Sequence, residues 1–118
     1  MRNLADVSAI STPGVFVYYS GDGSVRYPAG LYKLYGTSVA APIIAGIIGQ
    51  QNQTFDYAAT PSGYLGNLYA NYSGNLFDVT SGSNCGKTGA TGYICNAGIG
   101  YDGPTGLGTP FNGKLTPF

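Results

Sequence analysis

Ser38 sits in the run Gly36-Thr37-Ser38-Val39-Ala40-Ala41-Pro42, where small residues lead into a long apolar stretch. A serine in that setting does one of two jobs. It attacks a carbonyl carbon as a nucleophile, or it caps a helix whose first N–H groups lack partners. Nucleophilic attack needs a neighbouring base to take the hydroxyl proton, and these 118 residues hold no histidine and no glutamate. The acids are Asp6, Asp22, Asp56, Asp78 and Asp102. A Ser-His-Asp machine is therefore excluded within this sequence. Asp78 and Asp102 stand isolated in a stretch dominated by Gly, Thr, Ser and Asn. Cys85 and Cys95, the only cysteines, lie in the same stretch. Their spacing does not fit a four-ligand zinc pattern, and no histidine could complete one. A disulfide closing a surface loop is the preferred reading, with two unpaired thiols as the alternative.

Few elements are available to position these groups. Residues 15 to 19 are β-branched and aromatic and read as a strand, with Val25-Arg26-Tyr27 as a hairpin partner after the turn Gly21-Asp22-Gly23. A helix is expected from Thr37 to about Asn52. Its apolar residues fall on every side, which predicts a helix buried all round, with Pro42 near its first turn. A shorter helix is expected from about Ser62 to Asn71, with Tyr64, Leu65, Leu68 and Tyr69 on one stripe. One helix of that kind needs apolar cover on all sides, and these strands are too few to give it. The sequence reads as part of a larger α/β domain.

Composition narrows the function. The chain is 43% hydrophobic, only 8% charged and formally neutral. It therefore has no basic field for nucleic acid or an anionic membrane. The apolar run in the first helix is too short to span a bilayer, and the first residues do not read as a signal peptide.

Three stretches, in order, resemble the sedolisin family of serine-carboxyl peptidases, relatives of the subtilisins. The first is RNLADVSAIS (2 to 11), with Ala5 where the family pattern has proline. The second is Gly36-Thr37-Ser38-Val39-Ala40-Ala41-Pro42, which is similar to the nucleophile motif shared with subtilisins. The third is FDVTSGSN (77 to 84) with GIGYDGPTGLGTP (98 to 110), which resembles the family's calcium-binding end. The resemblance covers nearly the whole chain. It implies the C-terminal third of a catalytic domain, with an α/β subtilisin-like parallel sheet, a buried central helix and a Gly-rich calcium-binding end. It also implies that Ser38 is the nucleophile, and that the catalytic Glu, its Asp partner and the oxyanion-hole Asp lie upstream.

The resemblance further implies peptide hydrolysis at acidic pH through an acyl-enzyme, because a carboxylate base is ionised where histidine would be protonated. By the family pattern, calcium is held by the carboxylates of Asp78 and Asp102 and by the carbonyls of Val79, Gly98 and Gly100. The expected partners are a peptide or protein substrate and the missing upstream catalytic segment, in a secreted protein. Alone, the chain is expected to be inactive. The alternative is a non-catalytic, calcium-stabilised structural or interaction module. A third reading takes Tyr18, Tyr19, Tyr27, Tyr32 and Tyr35 as a binding platform, although strand and core packing explains them more simply. Asn52-Gln53-Thr54 and Asn71-Tyr72-Ser73 match glycosylation sequons, which matter only in a eukaryotic secretory setting.

Overall fold

A computed structural model of the chain describes residues 5–50, 63–86, 92–112 and 115. The elements in order are β1 (Val15–Tyr19), β2 (Gly30–Leu34), α1 (Thr37–Gln50), α2 (Gly63–Asn71), β3 (Leu76–Phe77) and β4 (Thr109–Pro110). The sequon at Asn52 and the expected ends of the two helices at Asn52 and Ser62 lie outside the described residues.

β1 forms where expected, but its partner is not Val25-Arg26-Tyr27. β1 pairs antiparallel with β2, from Val15 opposite Leu34 to Tyr19 opposite Gly30. The intervening residues are taken up by a local turn instead. Asp22 Oδ1 accepts the Ser24 N–H at 2.8 Å, and the Tyr32 hydroxyl donates to the Pro28 carbonyl at 2.7 Å. Pro28 itself has no N–H to give a ladder. The Ser24 hydroxyl, then the Ser24 N–H, hold the Asp22 carboxyl below its ordinary range. That help to the turn is present above the unfolded-state value and is lost as pH falls through the folded one.

α1 forms as expected, but it is not buried all round. Only Val39 is buried, while Ser38, Ala41, Pro42, Ala45 and Gly46 are exposed. Its inner side turns Ile44, Ile47 and Ile48 against a small core of Leu68 from α2 with Leu107 and Leu115. The cover that the outer side calls for is not among the described residues. Pro42 lies inside the helix rather than in its first turn. It has no N–H for the carbonyl four residues earlier, that of Ser38.

The described strands make two two-stranded sheets, both antiparallel. The subtilisin-like parallel sheet is not found among the described residues. The β1–β2 connection is a single loop, which brings the chain back antiparallel, whereas parallel neighbours need a crossover of a dozen or more residues. The radius of gyration is 17.1 Å, against about 13 Å for a compact domain of this length.

Two glycines separate packing from propensity. Gly108 has φ +111°, and a Cβ there would overlap the Phe77 carbonyl. Gly46 lies in α1 with open space around it. Gly108→Ala is expected to destabilise the chain by about 2 kcal/mol or more. Gly46→Ala should stabilise it by up to about 1 kcal/mol. Denaturant midpoints of the two variants check the opposite signs.

Candidate functional site

The Gly-rich end is organised around two carboxylates. Asp102 is 1% exposed. Its Oδ1 accepts both the N–H and the hydroxyl of Thr105, each at 2.9 Å, and its Oδ2 accepts the Gly98 N–H at 2.9 Å. Its backbone exchanges a pair of hydrogen bonds with Gly106, both at 3.0 Å. The turn therefore folds around the side chain rather than leaving it to solvent. Asp78, just after β3, reaches the same stretch, and its Oδ2 accepts the Gly100 N–H at 2.8 Å. Its other oxygen, Oδ1, is buried and has no hydrogen-bond partner.

An orphaned buried carboxylate oxygen is costly. It needs a donor or a cation. Among the described residues no backbone N–H donates to the carbonyls of Val79, Gly98 or Gly100. No group of three His, Cys, Asp or Glu side chains exists among the described residues. The donor set is thus two carboxylates and backbone oxygens, with no nitrogen or sulfur. That set fits a hard cation such as Ca²⁺, which takes six to eight oxygens and accepts carbonyls and water. It does not suit a soft or imidazole-seeking metal.

The cysteines are joined as a disulfide, with Cα atoms 5.1 Å apart. Backbone bonds from Asn84 N–H to the Cys95 carbonyl (3.0 Å) and from Ala97 N–H to the Gly82 carbonyl (2.9 Å) flank it. This staple leads directly into Gly98 and Gly100.

Ser38 is placed by backbone. Gly36, with φ +104°, turns the chain into α1. The Gly36 N–H donates to the Ser11 carbonyl at 3.0 Å, and the Val39 N–H donates to the Gly36 carbonyl at 2.9 Å. Ser38 is exposed at the positive end of the helix, where unpaired N–H groups can face a developing oxyanion. Among the described residues no carboxylate hydrogen-bonds its hydroxyl, and its hydroxyl caps no backbone N–H. The structure thus brings Asp78, Asp102, Gly98 and Gly100 together and does not bring an acid to Ser38.

Two participants escaped the sequence. Thr105 braces Asp102 from three residues on, a spacing too common to stand out. The Tyr69 hydroxyl donates to Asp6 Oδ1 at 2.8 Å across 63 positions, which no local pattern reveals. Among the tyrosines considered as a platform, Tyr19 and Tyr32 meet edge to face, with centroids 6.2 Å apart. Val17, Tyr19, Tyr27, Tyr32 and Leu34 line an open apolar hollow of about 370 Å³. Tyr18, Tyr19, Tyr27 and Tyr35 are exposed, so packing into a core does not account for them within the described residues.

The chain is similar to several curated peptidases. The chain is 33% identical to sedolisin of a Pseudomonas species over 119 residues, which is 99% of this chain and 18% of that protein. It is 40% identical to tripeptidyl-peptidase SED1 of Arthroderma otae over 82 residues, 68% of this chain and 12% of that protein. It is 32% identical to kumamolisin of a Bacillus species over 117 residues, 97% of this chain and 19% of that protein. The chain therefore spans about a fifth or less of the curated relatives it matches. No family model matches it. No solved structure matches it.

The two carboxylates should respond differently to neutralisation in chelator. Asp102→Ala strands the Gly98 N–H and both Thr105 donors and is expected to cost about 3 kcal/mol. Asp78→Asn removes a buried charge that has an orphan oxygen, and is expected to stay within about 1 kcal/mol of the parent. Thermal midpoints in excess chelator measure both.

Proposed function

The chain belongs to the sedolisin family of peptidases, and on that premise we propose that it is the part of a serine-carboxyl peptidase that supplies the nucleophile and a calcium-binding end. The observation that carries this reading is similarity to named peptidases along nearly the full chain. In the proposed reaction Ser38 Oγ attacks the peptide carbonyl carbon, its proton passes to a carboxylate base, and the C–N bond breaks as that base returns the proton to the leaving amine. Water then releases the acyl group from Oγ. The proposed base lies on polypeptide outside these 118 residues: no glutamate or histidine is among them, and no described aspartate hydrogen-bonds Ser38. A carboxylate base makes the reaction an acid-pH one, because it is ionised where an imidazole would be protonated. Substrates are peptides or proteins. Which peptide bond is chosen depends on pockets that these residues do not complete.

Calcium would be held by the Asp78 and Asp102 carboxylates and the carbonyls of Val79, Gly98 and Gly100. The orphaned Asp78 Oδ1 supports this. The ion would supply positive charge to two buried acids and hold the loop; it takes no part in bond making. Secretion is proposed from the disulfide, which persists in oxidising compartments. No helix among the described residues is long and apolar enough to cross a membrane. The second reading, a non-catalytic calcium-stabilised module, is favoured by one observation only: no described acid engages Ser38.

Two measurements test the proposal. A serine-directed phosphonate at acid pH should leave the isolated chain unlabelled. It should label Ser38 once the chain is joined to the base-bearing segment, and Ser38→Ala should remove that label. Labelling of neither form favours the non-catalytic module. Calcium at a hundred times its Kd should stabilise the chain by about 2.7 kcal/mol. Asp78→Asn should lose most of that gain, and an unchanged thermal midpoint in the parent would remove the ion from the account.

A further inference from the structure

Residues 5 to 11 touch both ends of the proposed machinery. Near their start, the Asp6 carbonyl accepts the Leu107 N–H at 2.8 Å. Gly106 lies so close to the Asp6 backbone that no Cβ would fit there. Two residues on, the Ser8 N–H donates to the Gly108 carbonyl at 2.8 Å. At the far end, the Ser11 carbonyl accepts the Gly36 N–H at 3.0 Å, immediately before α1. One short segment is thus pinned at one end to the turn that folds around Asp102, and at the other to the seat of Ser38.

Asp6 adds a side-chain anchor to that segment. Its Oδ1 accepts the Tyr69 hydroxyl at 2.8 Å, and the Tyr69 ring lies 6.1 Å from that of Tyr101, the neighbour of Asp102. Asp6 also lines a groove of about 470 Å³ together with Thr37, Ala40 and Ala41 from the first turns of α1.

We propose that Asp6 is a positioning residue that couples the turn around Asp102 to the start of α1, so that an ion held at the turn fixes the attitude of Ser38. A carboxylate oxygen bonded to Tyr69 orients the Asp6 side chain. With its carbonyl committed to Leu107, the segment moves with the turn. Displacing the turn then pulls on the Ser11–Gly36 bond, the last backbone tie before the helix. The inference rests on the calcium reading for what loads the turn, and on the bonds above for how the load is passed.

The test is amide hydrogen exchange on the full chain, in calcium chloride and in chelator. In the parent, calcium should slow exchange at Gly98 and Gly100, and also at Gly36 and Val39, by about tenfold or more. In Asp6→Ala, calcium should still slow Gly98 and Gly100 but leave Gly36 and Val39 at their chelator rates. Asp6→Asn keeps an oxygen acceptor for Tyr69 and should restore most of the distant effect. A merely structural loss would instead raise exchange throughout, including the β1–β2 amides, and Asp6→Asn would rescue nothing selectively. If Asp6→Ala does not fold, Tyr69→Phe removes the same bond from the other side and should give the same selective loss. Protection at Gly98 and Gly100 with none at Gly36 in the parent overturns the coupling and leaves the ion site standing. No response at any of these amides overturns the ion reading, and this role of Asp6 falls with it.

Discussion

A buried negative charge is the constraint around which the distal end is built. Asp102 is almost wholly removed from water, so its charged oxygens must be met by protein donors or by a cation. Three donors from Gly98 and Thr105 meet it, and this explains why the backbone there doubles back instead of running on as strand. Glycine at 106 and 108 lets that turn lie against Asp6 and Phe77 without a side chain between them. The same donors cannot serve Asp78 as well, and its second oxygen is left over. Two acids are gathered where the protein's own donors satisfy only one of them fully. That imbalance supports the cation proposed there.

The opposite imbalance marks the rest of the molecule. β1 has every residue exposed, including Phe16 at 73% and Tyr18 at 67%, and Leu31 of β2 is 72% exposed. A lone two-stranded hairpin is marginal in water, and apolar groups on both of its faces call for packing partners. The outer side of α1 is likewise small and uncovered. The described core amounts to Leu68, Leu107 and Leu115 with the partly buried residues around them. The loop end, cross-linked and hydrogen-bonded, is therefore better determined by its own contacts than the hairpin is. The chain spans about a fifth of the length of the curated relatives it matches.

Local patterns in the sequence were enough to place β1, α1 and α2, because β-branched and aromatic runs, or a long apolar run opened by Gly-Thr-Ser, leave few other conformations. They were not enough to place β2. The turn chemistry of Asp22 and Ser24 and the missing N–H of Pro28 delay pairing until Gly30, and a triplet such as Val25-Arg26-Tyr27 shows nothing of that. Burial of α1 was misjudged for a related reason: an all-round apolar helix states what it needs, not what these residues supply. In the site, Asp78 and Asp102 could be singled out only through the family pattern, since two acids far apart in sequence carry little by themselves. The Asp6–Tyr69 bond is a tertiary fact with no sequence period behind it.

On the proposed acid-pH reading, the seat of Ser38 avoids a difficulty. Side-chain ion pairs weaken as carboxylates take up protons, so a nucleophile held by such pairs would loosen where it is needed. Here the ties at the start of α1 are backbone bonds, Gly36 to Ser11 and Val39 to Gly36, and peptide groups do not titrate in that range. Where a side chain does participate, it is the acceptor of a neutral hydroxyl, Tyr69 to Asp6. A carboxyl group keeps an acceptor oxygen whether or not it is protonated. Asp78 and Asp102 both meet the 98–100 stretch, the seat of the proposed cation. The backbone seat of Ser38 is thus held by groups that do not titrate in acid.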